Sequence, residues 1–173
     1  MRVRIDQVDL RDATLLILPK AGTSTVDMTS KPLPTPELLR RVKDFLDERR
    51  LITTRLHVNK ARFEEISVDV DVVMKPLGPK GDTLKREMEN AIRKFVNPLT
   101  GGTDGKGWPF GRMLMKSDLI KVIETVNGVD FVESVKLYNE DKKANVEKVE
   151  VDEDELIHIV DVNIREITKE AFV

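Results

Sequence analysis

Residues 65–75 carry the clearest alternation of apolar and polar positions in the chain. Apolar side chains recur at every second position, which is the spacing of a β-strand with one buried face and one face toward water. The apolar set is Ile66, Val68, Val70, Val72 and Met74, and the positions between them are Ser67, Asp69, Asp71, Val73 and Lys75. The pattern predicts a strand whose dry face lies on the core.

Four further segments are predicted to be strands. Residues 14–18 form a short apolar run that ends at Pro19, which is typical of a strand buried on both faces. The segment 51–58 is rich in β-branched residues, and residues 129–138 and 156–165 have similar patterns.

Three helices are predicted from apolar residues at helical spacing. The first opens with Thr35 as N-cap and Pro36 at its first position, the second is capped by Asp82 and stops at Pro98, and the third is capped by Ser117. Their apolar faces are, in order, Leu38, Val42, Phe45 and Leu46 with Arg49; Leu84, Met88, Ala91, Ile92 and Phe95; and Leu119, Val122, Ile123 and Val126.

This order of elements predicts an α+β fold. Strand, helix, strand, strand and helix fit the start of a ferredoxin-like split β-α-β unit, with a mixed or antiparallel sheet packed by two to three helices. We expect two halves: residues 1–78, and residues 79–173 with the Gly/Trp loop at 97–112. The highly charged segment 139–155 is predicted to be a mobile hairpin or loop.

The Gly/Trp loop, residues 97–112, is the most distinctive segment. It holds five of the nine glycines and the only tryptophan of a chain that is only 5% aromatic. Its candidate interaction residues are Pro98, Gly101, Gly102, Gly105, Gly107, Trp108, Pro109, Phe110, Gly111 and Arg112. Two hypotheses remain open: the rings of Trp108 and Phe110 pack over a helix end, or they anchor another subunit, since Trp and Arg are enriched at interface hot spots.

Composition removes several functional classes. The chain has 29 basic and 31 acidic residues and no basic stripe, so we expect no nucleic-acid partner. The absence of cysteine excludes disulfides and thiolate metal sites. No apolar run has the length of a membrane span, and the N-terminal residues do not have the apolar core of a signal peptide.

No motif in the chain predicts catalysis. The glycines around Lys106 fail the phosphate-loop spacing, because position 100 is Thr and position 107 is Gly. The two histidines, His57 and His158, have no second ligand at a suitable spacing on their strands, and the acidic run 152–155 lacks the pattern of an EF-hand. The sequence therefore predicts no catalytic residue, metal, cofactor or small-molecule substrate, although a hydrolase using Asp69, Asp71 or His158 is the weakest of three hypotheses.

The loop and its flanks resemble the baseplate J-like protein family. The loop reads Asn-Pro-Leu-Thr-Gly-Gly-Thr-Asp-Gly-Lys-Gly-Trp-Pro-Phe-Gly-Arg, which is similar to that family's signature. Supporting matches lie at residues 35–39, 46–53, 66–72, 117–119, 126–132 and 153–156. The resemblance covers about residues 13–165 and only the C-terminal part of the normally longer family members.

The resemblance implies a structural role. Baseplate J-like proteins are wedge components of contractile phage tails and related injection systems, where they join neighbouring wedges and take part in triggering sheath contraction. It implies other wedge subunits and copies of the chain itself as partners, and a virion tail baseplate or a cytoplasmically assembled injection particle as the location. An alternative is a carbohydrate- or surface-binding module that uses Trp108 as a stacking platform.

Overall fold

The computed structural model describes residues 2–9, 12–20, 30–78, 81–139 and 145–167. The elements in these residues are β1 (Arg2–Asp9), β2 (Asp12–Leu18), α1 (Pro36–Asp47), β3 (Arg55–Lys60), β4 (Arg62–Met74), α2 (Asp82–Phe95), β5 (Leu114–Met115), α3 (Lys116–Glu124), β6 (Val129–Asn139), β7 (Asn145–Val146), β8 (Lys148–Val149) and β9 (Glu155–Glu166). The predicted α+β class, with helices packed on mixed and antiparallel sheets, is confirmed.

The contacts divide the chain into two compact units, Met1–Arg62 and Phe63–Val173. In the first unit β2 lies at the centre of a three-stranded sheet, antiparallel to β1 and parallel to β3. Residues 15–18 are buried, as the apolar run predicts. Helix α1 begins as predicted, because the Thr35 hydroxyl accepts a hydrogen bond from the Leu38 amide at 3.3 Å.

The second unit is built on a four-stranded sheet in the order β7-β6-β4-β9. Strand β4 pairs antiparallel with β6, with Val68 opposite Leu137. Strand β4 contacts β9 with residue numbers that increase in the same direction along both strands. Phe63 meets His158, and Val72 accepts a hydrogen bond from Ile167, which is the pattern of a parallel pair. The predicted alternation in β4 is confirmed from residue 66 to residue 72, whose apolar side chains are buried. It is wrong at Val73, which is expected on the wet face but is buried, next to an irregularity in the pairing with β6.

Two predicted helix caps are wrong. Helix α2 has Gly81 at its N-cap, with φ of +71°, and Asp82 is its first helical residue with no capping hydrogen bond. Helix α3 begins at Lys116 rather than after Ser117, and its first turn is held by Asp118, whose carboxylate accepts from the Met115 amide at 3.4 Å. The N-cap is therefore Gly81 in α2 and Met115 in α3. Asp82 and Asp118 lie in the first turns of these helices, where a negative charge interacts favourably with the helix dipole.

Several other boundaries differ from the expected ones. Strand β3 starts at Arg55, because the residues before it form a turn in which the Thr54 amide donates to the Leu51 carbonyl. Strand β1 and the short β5–β8 pair are not predicted at all. The contacts group β4 with the later elements, whereas the predicted halves divide after residue 78. The charged segment contains β7 and β8, and its residues 140–144 lie outside the described ones.

Candidate functional site

The Gly/Trp loop starts where α2 ends, and Asn97 organises it. The Asn97 side-chain oxygen accepts from the amides of Leu99 and Thr100, at 2.8 and 3.1 Å. Its main-chain carbonyl accepts from the amides of Gly101 and Trp108, at 2.8 and 2.9 Å. One residue therefore holds both ends of a closed loop. The last carbonyl groups of the helix also find donors here, because Lys94 accepts from the Asn97 amide and Phe95 accepts from the Gly102 amide.

Gly101 and Gly107 form a narrow neck inside this loop. The Gly107 amide donates to the Gly101 carbonyl at 2.8 Å, and the Gly102 amide donates to the Phe95 carbonyl at 2.7 Å. A Cβ at Gly101 would lie 2.3 Å from the Phe95 oxygen, so only glycine fits there. Residues 103–106 beyond the neck are exposed. The backbone itself therefore fixes the shape of the loop.

Trp108 lies inside the second unit with 0% of its surface exposed. The Phe95 ring meets it edge-on, with centroids 5.2 Å apart and planes at 66°. The guanidinium of Arg112 lies 4.5 Å from the indole centroid, and the indole Nε1 donates to the Arg112 carbonyl at 3.3 Å. This geometry places the tryptophan as a brace between the end of α2 and the end of the loop.

The last part of the loop is fastened to the turn that precedes β9. The Gly111 amide donates to the Glu155 carbonyl at 3.0 Å, and a Cβ at Gly111 would lie 3.0 Å from the Glu153 Cα. Gly111 also has φ of +68°, a region that favours glycine. The loop therefore ties α2 to the start of β9.

A cleft of about 500 Å³ opens beside this junction. Its lining residues share the second unit and are Glu64, Gly111, Met113, Asn139, Glu150, Val151, Asp152 and Glu155. Four of them are carboxylates, and no lysine or arginine lines the cleft among the described residues. We call this feature the acidic cleft.

The structure brings the sequence-predicted site residues together in one loop, with four of the ten buried and only two exposed. Pro98, Gly101, Gly107 and Trp108 are buried; Gly102, Pro109, Phe110 and Arg112 are half-buried; Gly105 and Gly111 are exposed. Trp108 therefore packs over the end of α2, as one of the two hypotheses expects. Contact of the loop with a partner stays a prediction.

Asp71, one of the two carboxylates of the hydrolase hypothesis, is held by hydrogen bonds to the two strands beside β4. Asp71 accepts hydrogen bonds from the Ser134 hydroxyl at 2.7 Å and from Arg165 Nε at 2.8 Å. The Ser134 hydrogen bond, helped by the Arg165 charge, holds the pKa of Asp71 below its ordinary value despite partial desolvation. A carboxyl kept ionised in this way is suited to joining three strands and is a poor proton donor.

The remaining candidates also occupy structural positions. His158 meets the Phe63 ring edge-on, with centroids 6.1 Å apart. Within the first unit, His57 Nε2 lies 3.7 Å from an Asp12 oxygen. Within the described residues, no three His, Asp or Glu side chains are grouped as metal ligands. None of the helices found in those residues has the length and apolar character needed to cross a membrane.

Arg93 is an important residue of the second unit whose role the sequence pattern does not predict. It is buried on the core side of α2, where it donates to the main-chain carbonyls of Ile159 and Val160 in β9 and pairs with Glu89 at 2.9 Å. It fastens α2 to the edge of the sheet, as the loop does at the helix end. The signal available in the sequence is an arginine next to Ile92 in the apolar stripe, with a glutamate four residues earlier.

The fold of this chain is similar to part of a known protein structure. No protein-family model matches the chain, and no curated protein does. A similar fold occurs in a solved structure described as the cryo-EM structure of the anti-feeding prophage (AFP) baseplate, 6-fold symmetrised, with a TM-score of 0.57 and 11% identity. The match covers 86% of this chain and 29% of that chain, so this chain spans less than a third of its length. The protein is therefore similar in fold to part of a chain from the baseplate of the anti-feeding prophage.

Proposed function

We propose that this chain is a structural part of a baseplate wedge in a contractile tail or injection system. It acts by protein–protein contacts in baseplate assembly and in the rearrangement that triggers sheath contraction. Its partners are other wedge subunits and copies of itself, and its location is the tail baseplate or an injection particle assembled in the cytoplasm. The observation that carries the proposal is the fold similarity to a baseplate chain over 86% of the sequence.

The loop supports this proposal in two ways. Its sequence resembles the baseplate J-like signature, and its geometry is that of a rigid connector. Asn97 closes the loop, Trp108 braces the end of α2, and Gly111 fastens the loop to the start of β9. A connector of this kind holds surfaces in fixed positions under load, which a subunit that transmits a rearrangement requires. We therefore assign the loop a positioning role within the wedge.

Nothing in the site favours the carbohydrate alternative. A stacking platform needs an open aromatic face, and Trp108 has none of its surface exposed. The Arg112 guanidinium lies over the indole ring, and Phe95 packs against it edge-on. A sugar would have to displace both groups and open the closed loop.

Deletion of the coding sequence in the producing strain tests the proposed function. We expect tubes and sheaths without normal baseplates, seen by negative-stain electron microscopy, and loss of contraction. Expression of the wild-type sequence in trans is the control and should restore the particles. Normal, contracting particles in the deletion strain would contradict the proposal.

A further inference from the structure

The first unit exposes three large apolar side chains at the C-terminal end of α1. Phe45 is 58% exposed, Leu51 75% and Ile52 99%. We call these three residues the apolar tip. Leu51 and Ile52 lie in the turn between α1 and β3, and Phe45 lies on the last turn of α1. Large apolar side chains grouped on a surface mark a binding site more often than singly scattered ones do.

The surroundings of the apolar tip have a net positive charge, although Arg49 pairs with Glu48 at 3.1 Å and Arg50 pairs with Asp47 at 2.7 Å. The Arg49 guanidinium lies 3.9 Å from the centroid of the Phe45 ring. Residues 40–55 contain six basic side chains against three acidic ones, although the whole chain has a net charge of −2. Arginine stacked on an aromatic ring beside exposed aliphatic residues is the composition of an interface hot spot. The tip therefore fits an acidic surface that has an apolar floor.

The acidic cleft of the second unit has this chemistry. Its lining combines the carboxylates of Glu64, Glu150, Asp152 and Glu155 with the exposed side chain of Met113. Its volume, about 500 Å³, is within the range of pockets that take side chains or small ligands. Methionine is flexible and adapts to the shape of an apolar side chain that enters.

We propose that the apolar tip of one copy docks into the acidic cleft of a second copy. Ile52 would pack on Met113, and the arginines beside the tip would face the carboxylates of the cleft. The two surfaces differ, so the contact is head-to-tail and each copy offers one tip and one cleft. This docking rests on the proposed function in one respect, since both name a second copy of the chain as a partner. Its test uses purified protein, so either proposal can fail while the other stands.

Sedimentation velocity of the purified full chain is the first test. We expect association that grows with protein concentration, with a dissociation constant of about 10–100 µM for a small contact. Because opposite charges contribute, added salt should weaken the association. A single monomeric species at every concentration would overturn the proposal.

Ile52→Asp tests the tip, and Leu77→Asp is its matched control. Leu77 is 95% exposed and lies outside both surfaces, so the two variants make the same chemical change at equally exposed sites. We expect Ile52→Asp to weaken association by about tenfold or more, as for a hot-spot residue. Leu77→Asp should leave it unchanged. Equal effects of the two variants would show that the tip is not the contact.

A mixing experiment tests the head-to-tail geometry. Glu150→Lys reverses the charge of a cleft carboxylate that pairs with Lys148 at 2.5 Å. Ile52→Asp keeps an intact cleft and Glu150→Lys keeps an intact tip, so each should be defective alone and the mixture should form a 1:1 dimer that does not grow. Circular dichroism verifies that both variants are folded. A mixture that stays monomeric, or that forms larger species, would contradict tip-in-cleft docking.

Discussion

Gly101 and Gly105 lie four residues apart in the same loop, yet their backbones face different constraints. A Cβ at Gly101 would meet carbonyl oxygens of Phe95, Lys94 and Asn97 at 2.3 to 2.6 Å. A Cβ at Gly105 would meet nothing within 4 Å, and its only constraint is a φ of +70°. An added side chain is therefore excluded by steric clash at Gly101, whereas at Gly105 it is disfavoured only by the backbone conformation.

We expect Gly101→Ala to destabilise the second unit by about 3 kcal/mol or more, because the neck must open to admit the methyl group. Gly105→Ala should cost only about 1–2 kcal/mol, the price of a left-handed backbone for an ordinary residue. Urea unfolding followed by Trp108 fluorescence compares the two. Similar losses for both variants would contradict the described neck.

Trp108 is expected to be the most stabilising side chain of the loop. Trp108→Ala removes a fully buried ring and should lower the free energy of unfolding by about 3–5 kcal/mol. Trp108→Phe keeps much of the apolar volume but loses the hydrogen bond to the Arg112 carbonyl, so we expect a loss of about 1–2 kcal/mol. Far-UV circular dichroism during urea unfolding measures both. An alanine variant as stable as wild type would show that the indole does not brace α2.

For single residues, the sequence shows which side chains are unusual but not where they lie in the fold. The isolation of Trp108 and Phe110 among glycines indicates a special loop, and the glycines prove necessary at the neck. Whether the indole points inward depends on Phe95 and Arg112 closing around it, and spacing along the chain does not contain that information. The role of Arg93 is hidden for the same reason, because its acceptors in β9 lie 66 and 67 residues away.

Among the elements, β4 has the largest structural role. It pairs with β6 on one side and β9 on the other, and Asp71 joins all three strands through Ser134 and Arg165. The same strand buries its apolar face in the core of the second unit. A single strand thus carries the core on one face and a polar clamp on the other.

The clamp should make stability depend on pH in acid. The pKa of Asp71 is below its ordinary value of 3.8 in the folded protein, so the ionised carboxylate stabilises the fold above that value. This contribution is lost as the pH falls through the lowered pKa. We expect Asp71→Asn to cost about 1–2 kcal/mol at pH 7, and the difference from wild type to vanish in strong acid.

Asp69→Asn is the matched control for the clamp, since Asp69 lies two residues away on the same face of β4. It makes the same chemical change without removing the hydrogen bonds from Ser134 and Arg165. Urea midpoints measured from pH 7 down to about 2 should show the difference between Asp71→Asn and wild type converging toward zero. A constant difference for Asp71→Asn across that range would contradict an ionised clamp.

Elements with strong periodicity are predicted well, and weakly patterned ones are not. Strand β4 and the three helices follow from their apolar spacing. Strand β1 is not predicted because half of its eight residues are charged. Strands β5 and β8 are not predicted because two residues are too few to show an alternating pattern. The apolar face of α1 is predicted, yet none of its twelve residues, all of them described, is buried. Periodicity shows which residues share a face but not how fully that face is covered.

For the whole molecule, the assignment of β4 to the second unit gives a direct prediction. A fragment of residues 63–173 should fold, whereas residues 79–173 should not. The shorter fragment lacks Ile66, Val68, Val70 and Val72, each buried and each contributing about 1.5–3 kcal/mol, against a typical total stability of about 5–15 kcal/mol. Cooperative unfolding and native-like Trp108 emission are the measurements. Cooperative unfolding of 79–173 would restore the boundary expected from the sequence.

The division after Arg62 is difficult to predict because β4 follows β3 with a single residue between them. Short connections favour neighbouring strands, so local sequence argues for keeping them together. The true neighbours of β4 are β6 and β9, which arrive much later in the chain. Pairing over such distances leaves no mark in a single sequence, while the composition and helix order still give the fold class.

The neck formed by Gly101 and Gly107 has a practical consequence. It separates the exposed residues 103–106 from everything that packs around Trp108, so extra chain placed between Asp104 and Gly105 adds length only on the solvent side. Exposed loop tips of this kind tolerate insertions, because no buried group is displaced. A short epitope there would give an antibody-accessible landmark, by which each copy could be located in averaged images of an assembled particle.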